Sequence, residues 1–234
     1  MTGTLFIVST PIGNLEDMTF RAIRVLQEAS IIAAEDTRRT QKLCTHYNIH
    51  TPLTSYHDFN KEEKSPILIK RLLEETNVAL VSDAGTPLIS DPGYYLTREA
   101  INHQIPVVAI PGASATLVAL TASGLPPDTF VFQGFLPKKS GARTKILTHL
   151  LEEPRTIILF ETPYRIRSTL EIIQEVFGNR KVVIARELTK INEEFLRGSA
   201  EEILKTGLAQ RVKGEVTLLI EGNRPKKTKQ AESI

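Results

Sequence analysis

The sequence predicts an α/β protein made of two domains, and three observations carry that prediction. Through the first half, short β-branched or apolar runs alternate with amphipathic stretches, the pattern of strands joined by helices in a largely parallel sheet. The chain has 234 residues, room for one large domain or two modest ones at roughly 100 to 200 residues each. Finally, Gly124-Leu-Pro-Pro-Asp128 stops whatever precedes it, because two prolines end a helix and stiffen the connection, and the strand pattern then restarts. Residues 1–124 are therefore expected to form an N-terminal α/β domain and 125–223 a second one, followed by a basic tail, 224–234, without periodicity.

The elements follow in order. Residues 5–9, 31–34, 78–82 and 107–110 read as buried strands. Phe20, Ile23, Val25 and Leu26 mark one helix, and Ile67, Leu68, Leu72 and Leu73 another. Residues 112–123 are small and apolar, a buried helix opening at Pro111-Gly112. Beyond the prolines, 129–133, 156–160, 182–185 and 216–220 read as strands. Helices are expected near 143–151 and over 164–177, the latter ended by Gly178-Asn179.

Composition narrows the function. The chain is 41% hydrophobic and 24% charged, an ordinary globular balance. No apolar run approaches the roughly 20 residues a membrane span needs, and no positive residue precedes the short apolar stretch at the N-terminus. The protein is thus expected in the cytoplasm, away from membranes. Cys44 is the single cysteine, and the five histidines show no ligand spacing, so neither a disulfide nor a metal site is expected. Net charge is only +2, so its distribution matters more than its sum. Lys138, Lys139, Arg143 and Lys145 fall within eight residues that contain no acid, and Arg224, Lys226, Lys227 and Lys229 crowd the C-terminal tail.

In open α/β sheets ligands bind beyond the carboxyl ends of the strands. Here those ends carry Ser9-Thr-Pro-Ile-Gly-Asn14, Glu35-Asp-Thr-Arg38, Asp83-Ala-Gly-Thr-Pro-Leu-Ile-Ser-Asp-Pro-Gly93 and Pro111-Gly-Ala-Ser-Ala115. Any one of these is an ordinary tight βα turn. Four in succession, rich in hydroxyls and turn formers, point to a shared site. Neither G-x-G-x-x-G after the first strand nor G-x-x-x-x-G-K-[ST] is present, which disfavours a nucleoside triphosphate. Gly85 and Gly112 permit close backbone approach, and Asp83 offers an acceptor to a ribose hydroxyl or an amino group. That suits a compact nucleoside carrying an amino-acid tail.

These loops, together with Gln133-Gly-Phe-Leu-Pro137, Phe160-Glu-Thr-Pro-Tyr-Arg165 and Ala185-Arg-Glu-Leu-Thr-Lys190, resemble the ribosomal RNA small subunit methyltransferase I family, a branch of the tetrapyrrole methylases. The likeness runs from Leu5 to about Gly222. It implies two α/β domains of the tetrapyrrole methylase type with an S-adenosylmethionine cleft between them, usually in a homodimer. The implied reaction is 2′-O-methylation of a cytidine in the decoding centre of 16S ribosomal RNA in the small ribosomal subunit. The implied cofactor residues are Pro11, Asp83, Ala84, Gly85, Thr86, Ser114 and Ala115, with Glu161, Arg186, Glu187, Leu188 and Thr189 closing from the second domain. Looser relatives carry G-x-G-P-G where this chain has Ser9-Thr-Pro-Ile-Gly13, which counts against a porphyrin substrate. Many members continue into a small helical C-terminal domain, whereas this sequence stops at Ile234 with a basic tail, so RNA contacts made by that extension are expected to be missing or replaced.

Methyl transfer from a sulfonium needs no metal, and much of its acceleration comes from alignment. A ribose hydroxyl is a poor nucleophile, so a base or a solvent path must take its proton. Glu35, Asp36 and Arg38 are the candidates. Helix capping explains the two carboxylates equally well, and pairing with a neighbouring acid explains Arg38. For RNA, the candidates are Lys138, Lys139, Arg143, Lys145 and Arg165, with Tyr164 either stacking on a base or packing in the core. Two competing readings remain: a methylase for a small tetrapyrrole-type molecule or a protein side chain, and a non-catalytic RNA-binding assembly factor.

Overall fold

Residues 2–207, 209 and 212–224 are described by the computed structural model of the chain, whose contacts divide it into two compact units, 1–115 and 116–234. In the first unit the alternation seen in the sequence becomes β1 (Leu5–Val8), α1 (Phe20–Glu28), β2 (Ile31–Ala34), α2 (Thr37–His46), β3 (Leu53–Ser55), α3 (Lys61–Leu73), β4 (Val78–Val81), α4 (Tyr94–Asn102) and β5 (Val107–Ile110). The strands form one parallel sheet in the order β3-β2-β4-β1-β5.

A parallel sheet must be covered on both faces, and its strands read as continuous apolar runs for that reason. Leu5, Ile7, Val78 and Leu80 pack with Leu68, Leu72, Leu96 and Ala100 of α3 and α4. The alternate residues Val8, Ile32, Ala79 and Val81 pack with Ala22, Val25 and Leu26 of α1 and Cys44 of α2. Each fully buried valine, leucine or isoleucine among these stabilises the fold by about 1.5–3 kcal/mol. Leftward connections from β1 and β2 thus run over one face and rightward ones from β3 and β4 over the other. Central neighbours β4 and β1 send their chains in opposite directions, which opens the crevice where α/β sheets take ligands.

The second unit contains α5 (Ala115–Ser123, whose first residue closes the first unit), β6 (Phe130–Phe135), α6 (Ser140–His149), β7 (Thr156–Glu161), α7 (Ile166–Phe177), β8 (Lys181–Arg186), β9 (Glu194–Ser199), α8 (Ala200–Lys205) and β10 (Val216–Ile220). Its sheet is mixed, in the order β6-β7-β10-β8-β9, with only the β6–β7 pair parallel. Ile157, Leu159, Val182, Ile184 and Leu218 form its core with Leu147 of α6, Leu170 and Ile173 of α7, and Ile203 of α8.

The contacts divide the chain at 115/116 rather than at Gly124. Arg197 of β9 donates to the carbonyls of Ala122 and Ser123 at 2.6 and 3.1 Å, satisfying the end of α5 and tying it to the second sheet. That helix starts at Ala115 instead of Gly112, and Leu117 is half exposed while Thr116, Ala119 and Leu120 are buried. Phe20, expected on the inner face of α1, is 94% exposed. Ile67 and Leu73 likewise face outward from α3, which buries Leu68, Ile69 and Leu72. Four elements, β3, α4, β9 and α8, were not legible in the apolar pattern. Arg224 belongs to the fold rather than to a loose tail, donating to Asp128 at 2.7 Å and to the Pro154 carbonyl at 3.1 Å. Lys226, Lys227 and Lys229 lie outside the described residues.

Candidate functional site

In the first unit the strand-end loops are bonded to one another. Beyond β1 and β4, Thr10 and Gly85 form an antiparallel bridge, each N–H donating to the other's carbonyl at 2.9 and 3.0 Å. Ser9 and Thr86 share a hydroxyl contact at 3.0 Å, and Thr86 Oγ1 donates to the Ala113 carbonyl at 3.2 Å. Thr86 thereby joins the loops after β1, β4 and β5. The close approach requires glycine twice. A Cβ on Gly112 would stand 2.9 Å from Ser9 Cβ, and Gly85 holds a φ of +78° with Ile12 3.2 Å from where its Cβ would be. Pro11, Asp83, Ala84, Thr86, Ser114 and Ala115 remain partly accessible around this junction. The Thr10 hydroxyl is buried with no hydrogen-bond partner among the described residues, and such orphans are rare unless a ligand or water completes them.

The loop after β4 is also strained. Leu88 and Ser90 both adopt left-handed φ, +73° and +66°, conformations that cluster where a binding site over-determines the backbone.

Acidic groups meet beside this junction. Asp83 Oδ1 accepts the Asp36 amide at 3.0 Å, and Glu35 Oε2 accepts the Asp83 amide at 3.2 Å, so the ends of β2 and β4 brace one another. Arg39 lies 3.3 Å from Asp83 Oδ2. The two carboxylates expected to compete as proton acceptors are in different states. Asp36 caps α2 by accepting the Arg38 amide at 2.9 Å and holds the Arg38 guanidinium at 2.8 and 3.1 Å; those hydrogen bonds keep its carboxyl well below the usual carboxylate range. Glu35 is raised above its ordinary value, chiefly by burial, although the Asp83 amide opposes this. Asp91, which the sequence did not single out, is pushed up to about 6 by burial, with Glu35 and Asp83 adding repulsion against the pull of Ser82. Its signal was faint because its character comes from burial and from Glu35, which stands far away in the chain. Among the described residues, no group of three or more His, Cys, Asp and Glu side chains could hold a metal ion.

Several candidates in the second unit have other occupations. Glu161 has a side chain with no exposure, and its oxygens receive Arg165 at 2.6 Å, the Thr162 amide at 2.7 Å and Thr169 Oγ1 at 2.7 Å. It has been spent on the interior rather than left for a cofactor. Arg165, expected to meet RNA phosphate, instead donates through Nη1 to the Leu136 carbonyl at 3.0 Å while Nη2 pairs with Glu161. Arg143 is 5% exposed, with Nη2 on Ser168 Oγ at 3.1 Å; it lies on the inner side of α6, so it is not a surface cation. Lys138, Lys139 and Lys145 are exposed.

The 186–189 stretch forms a tight turn after β8. Glu187 accepts from Lys190 Nζ and the Glu215 amide at 3.0 and 3.1 Å, which lowers its carboxyl despite burial. Arg186 donates to the Asn192 carbonyl at 3.1 Å, and Leu188 is buried. Glu187 and Thr189 have φ of +50° and +65°, an uncommon conformation for a β-branched residue.

Comparison with known proteins gives the same architecture. Residues 4–204 match the family described as Tetrapyrrole (Corrin/Porphyrin) Methylases. The chain is 52% identical to ribosomal RNA small subunit methyltransferase I of Halalkalibacterium halodurans and 47% to that of Bacillus subtilis, each over 94% of this chain and 76% of the relative. It is 48% identical to the Haemophilus influenzae protein of that name, over 95% of this chain and 80% of the relative. Among solved structures, uroporphyrin-III C-methyltransferase from Thermus thermophilus complexed with S-adenyl homocysteine matches with a TM-score of 0.65 at 17% identity, covering 94% of this chain and 97% of that one. Diphthine synthase matches at 0.67 and 15%, covering 94% and 90%.

Proposed function

The chain belongs to the tetrapyrrole methylase family and to its ribosomal RNA small subunit methyltransferase I branch, and from that premise we propose that it methylates 16S ribosomal RNA with S-adenosylmethionine. The finer assignment is the 2′-hydroxyl of a cytidine in the decoding centre. The observation that carries the reading is the junction of the β1, β4 and β5 ends, fastened through Thr10, Gly85 and Thr86, in a chain whose relatives are named ribosomal RNA small subunit methyltransferase I.

The residues fit the cofactor. An unpartnered Thr10 hydroxyl and two glycines with no Cβ leave polar edges for a nucleoside with an amino-acid tail. Pro11, Asp83, Ala84, Gly85, Thr86, Ser114 and Ala115 of the first unit would hold it. The bound sulfonium supplies an electrophilic methyl carbon and a neutral thioether leaving group. Loops fixed in this way would align the ribose oxygen for attack, the source of most of the acceleration in such a transfer. Glu35 would accept the hydroxyl proton. Its half-buried carboxyl is the stronger base of the pair, since Asp36 is held ionised by Arg38. Asp36 and Arg38 act as a cap and clamp at the start of α2.

The test is methyl transfer from radiolabelled S-adenosylmethionine to purified small subunits, free 16S RNA and a tetrapyrrole precursor in parallel, with digestion to nucleosides. Label as 2′-O-methylcytidine in the subunit is expected. Label confined to the tetrapyrrole would overturn the reading.

A further inference from the structure

The corrected positions of Arg143 and Arg165 expose a different surface, all within the second unit. Resting on the rRNA reading above, we propose that Tyr164, Lys138 and Lys139 form a docking platform for single-stranded RNA, in which the Tyr164 ring stacks on an unpaired base and the two lysines hold flanking phosphates.

Tyr164 is 98% exposed. An isolated exposed aromatic would mean little, but this one stands on a fixed support. Arg165, the next residue, reaches the Leu136 and Pro137 carbonyls at 3.0 and 3.4 Å, and its other arm is neutralised by buried Glu161. Arg165 also accepts Ser168 Oγ on its carbonyl, and Ser168 Oγ accepts Arg143 from α6. The 162–165 turn, the 136–139 segment and the start of α6 are therefore one hydrogen-bonded block. Tyr164 stands one residue from the anchor on one side, and Lys138 one residue from it on the other.

Sequence and sheet geometry supply the rest of the surface. A bulge in β6 shifts the register between Phe132 and Gly134, which has a φ of +72°. Without it, residues 132 and 135 would point to opposite faces. With it, Phe132 and Phe135 both lie against Phe160, at ring separations of 4.9 and 5.5 Å, and Phe135 is left half exposed at the rim. Residues 129–151 contain no acid, and Lys138 and Lys139 form no ion pair among the described residues. Phe59 is equally exposed, yet it sits beside an Asp58–Lys61 pair and lacks this excess of cation. An exposed aromatic ring beside cations that form no ion pair is what an unstacked base and its phosphates require, and a backbone already held in place loses less freedom on binding.

The experiment measures anisotropy of a fluorescein-labelled single-stranded RNA dodecamer and of its duplex, with methyl transfer to small subunits and calorimetry of S-adenosylhomocysteine run on the same variants. Tyr164→Ala is expected to weaken single-strand binding about tenfold, to raise KM for subunits, and to leave duplex and S-adenosylhomocysteine binding unchanged. Tyr164→Phe, which keeps the ring, should restore binding. The Lys138→Ala/Lys139→Ala variant should reduce the slope of log K against log salt by about 1.4, near 0.7 per phosphate on a single strand. Wild-type affinity in Tyr164→Ala, or equal loss in Tyr164→Phe, would overturn the platform while leaving the methylase reading intact. A wild-type protein that binds S-adenosylhomocysteine but neither binds RNA nor methylates subunits would overturn both.

Discussion

The two units treat their polar residues in opposite ways. In the first, side chains and amides at the strand ends bond chiefly to other strand ends, as Thr86 does to Ser9 and Ala113, and the result is a junction edged by glycine. In the second, the charged residues that looked most available are drawn inward, Arg143 to Ser168 and Arg165 to Glu161. What remains at the surface beside them includes the Tyr164 ring and Lys138, Lys139 and Lys145. Charge in a sequence reports composition, whereas exposure depends on which helix face or turn carries it. On the proposals above, the first unit would take a compact ligand and the second an extended anionic one.

The largest way to sharpen this contrast is Glu35→Gln, which keeps an acceptor for the Asp83 amide but removes the base. A fall in kcat of about 10²–10⁴ is expected, with S-adenosylhomocysteine affinity within about threefold by calorimetry; unchanged kcat would return the proton to solvent. Next is Arg165→Met. It leaves Glu161 buried without its cation, and denaturant titration should show a loss of about 3 kcal/mol, near the lower end for breaking a buried pair because Arg165 is partly exposed. A change below about 0.5 kcal/mol would mean the clamp is only a surface contact. Gly85→Val comes third: left-handed φ in a β-branched residue costs of order 1–3 kcal/mol, and the added atoms crowd Ile12. Cofactor affinity should drop at least tenfold, with RNA affinity unaltered.

The smallest effect concerns pH. Asp91 has a folded value of about 6, above the usual aspartate value, so between about pH 4 and 6 the folded state binds more protons than the unfolded one. Its contribution to stability is therefore favourable at acid pH and is lost as pH rises through about 6. Asp91→Asn should remove that slope and slightly raise Tm at pH 8 relative to wild type, with little difference at pH 4. A wild-type slope retained in the variant would assign the titration elsewhere, Glu35 first.

Much of the scaffold was legible because its strands obey one rule. β1, β2 and β4 read as unbroken apolar runs, and β10 is interrupted only by the buried Thr217. The edge strands β3 and β9 do not follow that rule. β3 has three residues and β9 reads Glu-Phe-Leu-Arg-Gly-Ser, so neither carried a signal. The glycine and hydroxyl loops could be found because close approach restricts residue type locally. Asp91 could not, since its character arises from Glu35 and Asp83 in space. Arg143 and Arg165 were misread for the same reason: their partners, Ser168 and the Leu136 carbonyl, are 25 and 29 residues away.

The central claim is a division of labour, and crossing two variants with two ligands tests it most directly. Gly85→Val and Tyr164→Ala, each confirmed folded by circular dichroism, would be titrated with S-adenosylhomocysteine by calorimetry and with single-stranded RNA by anisotropy. The account predicts that Gly85→Val loses the cofactor and keeps the RNA, while Tyr164→Ala does the reverse. Loss of both ligands in either folded variant would contradict it.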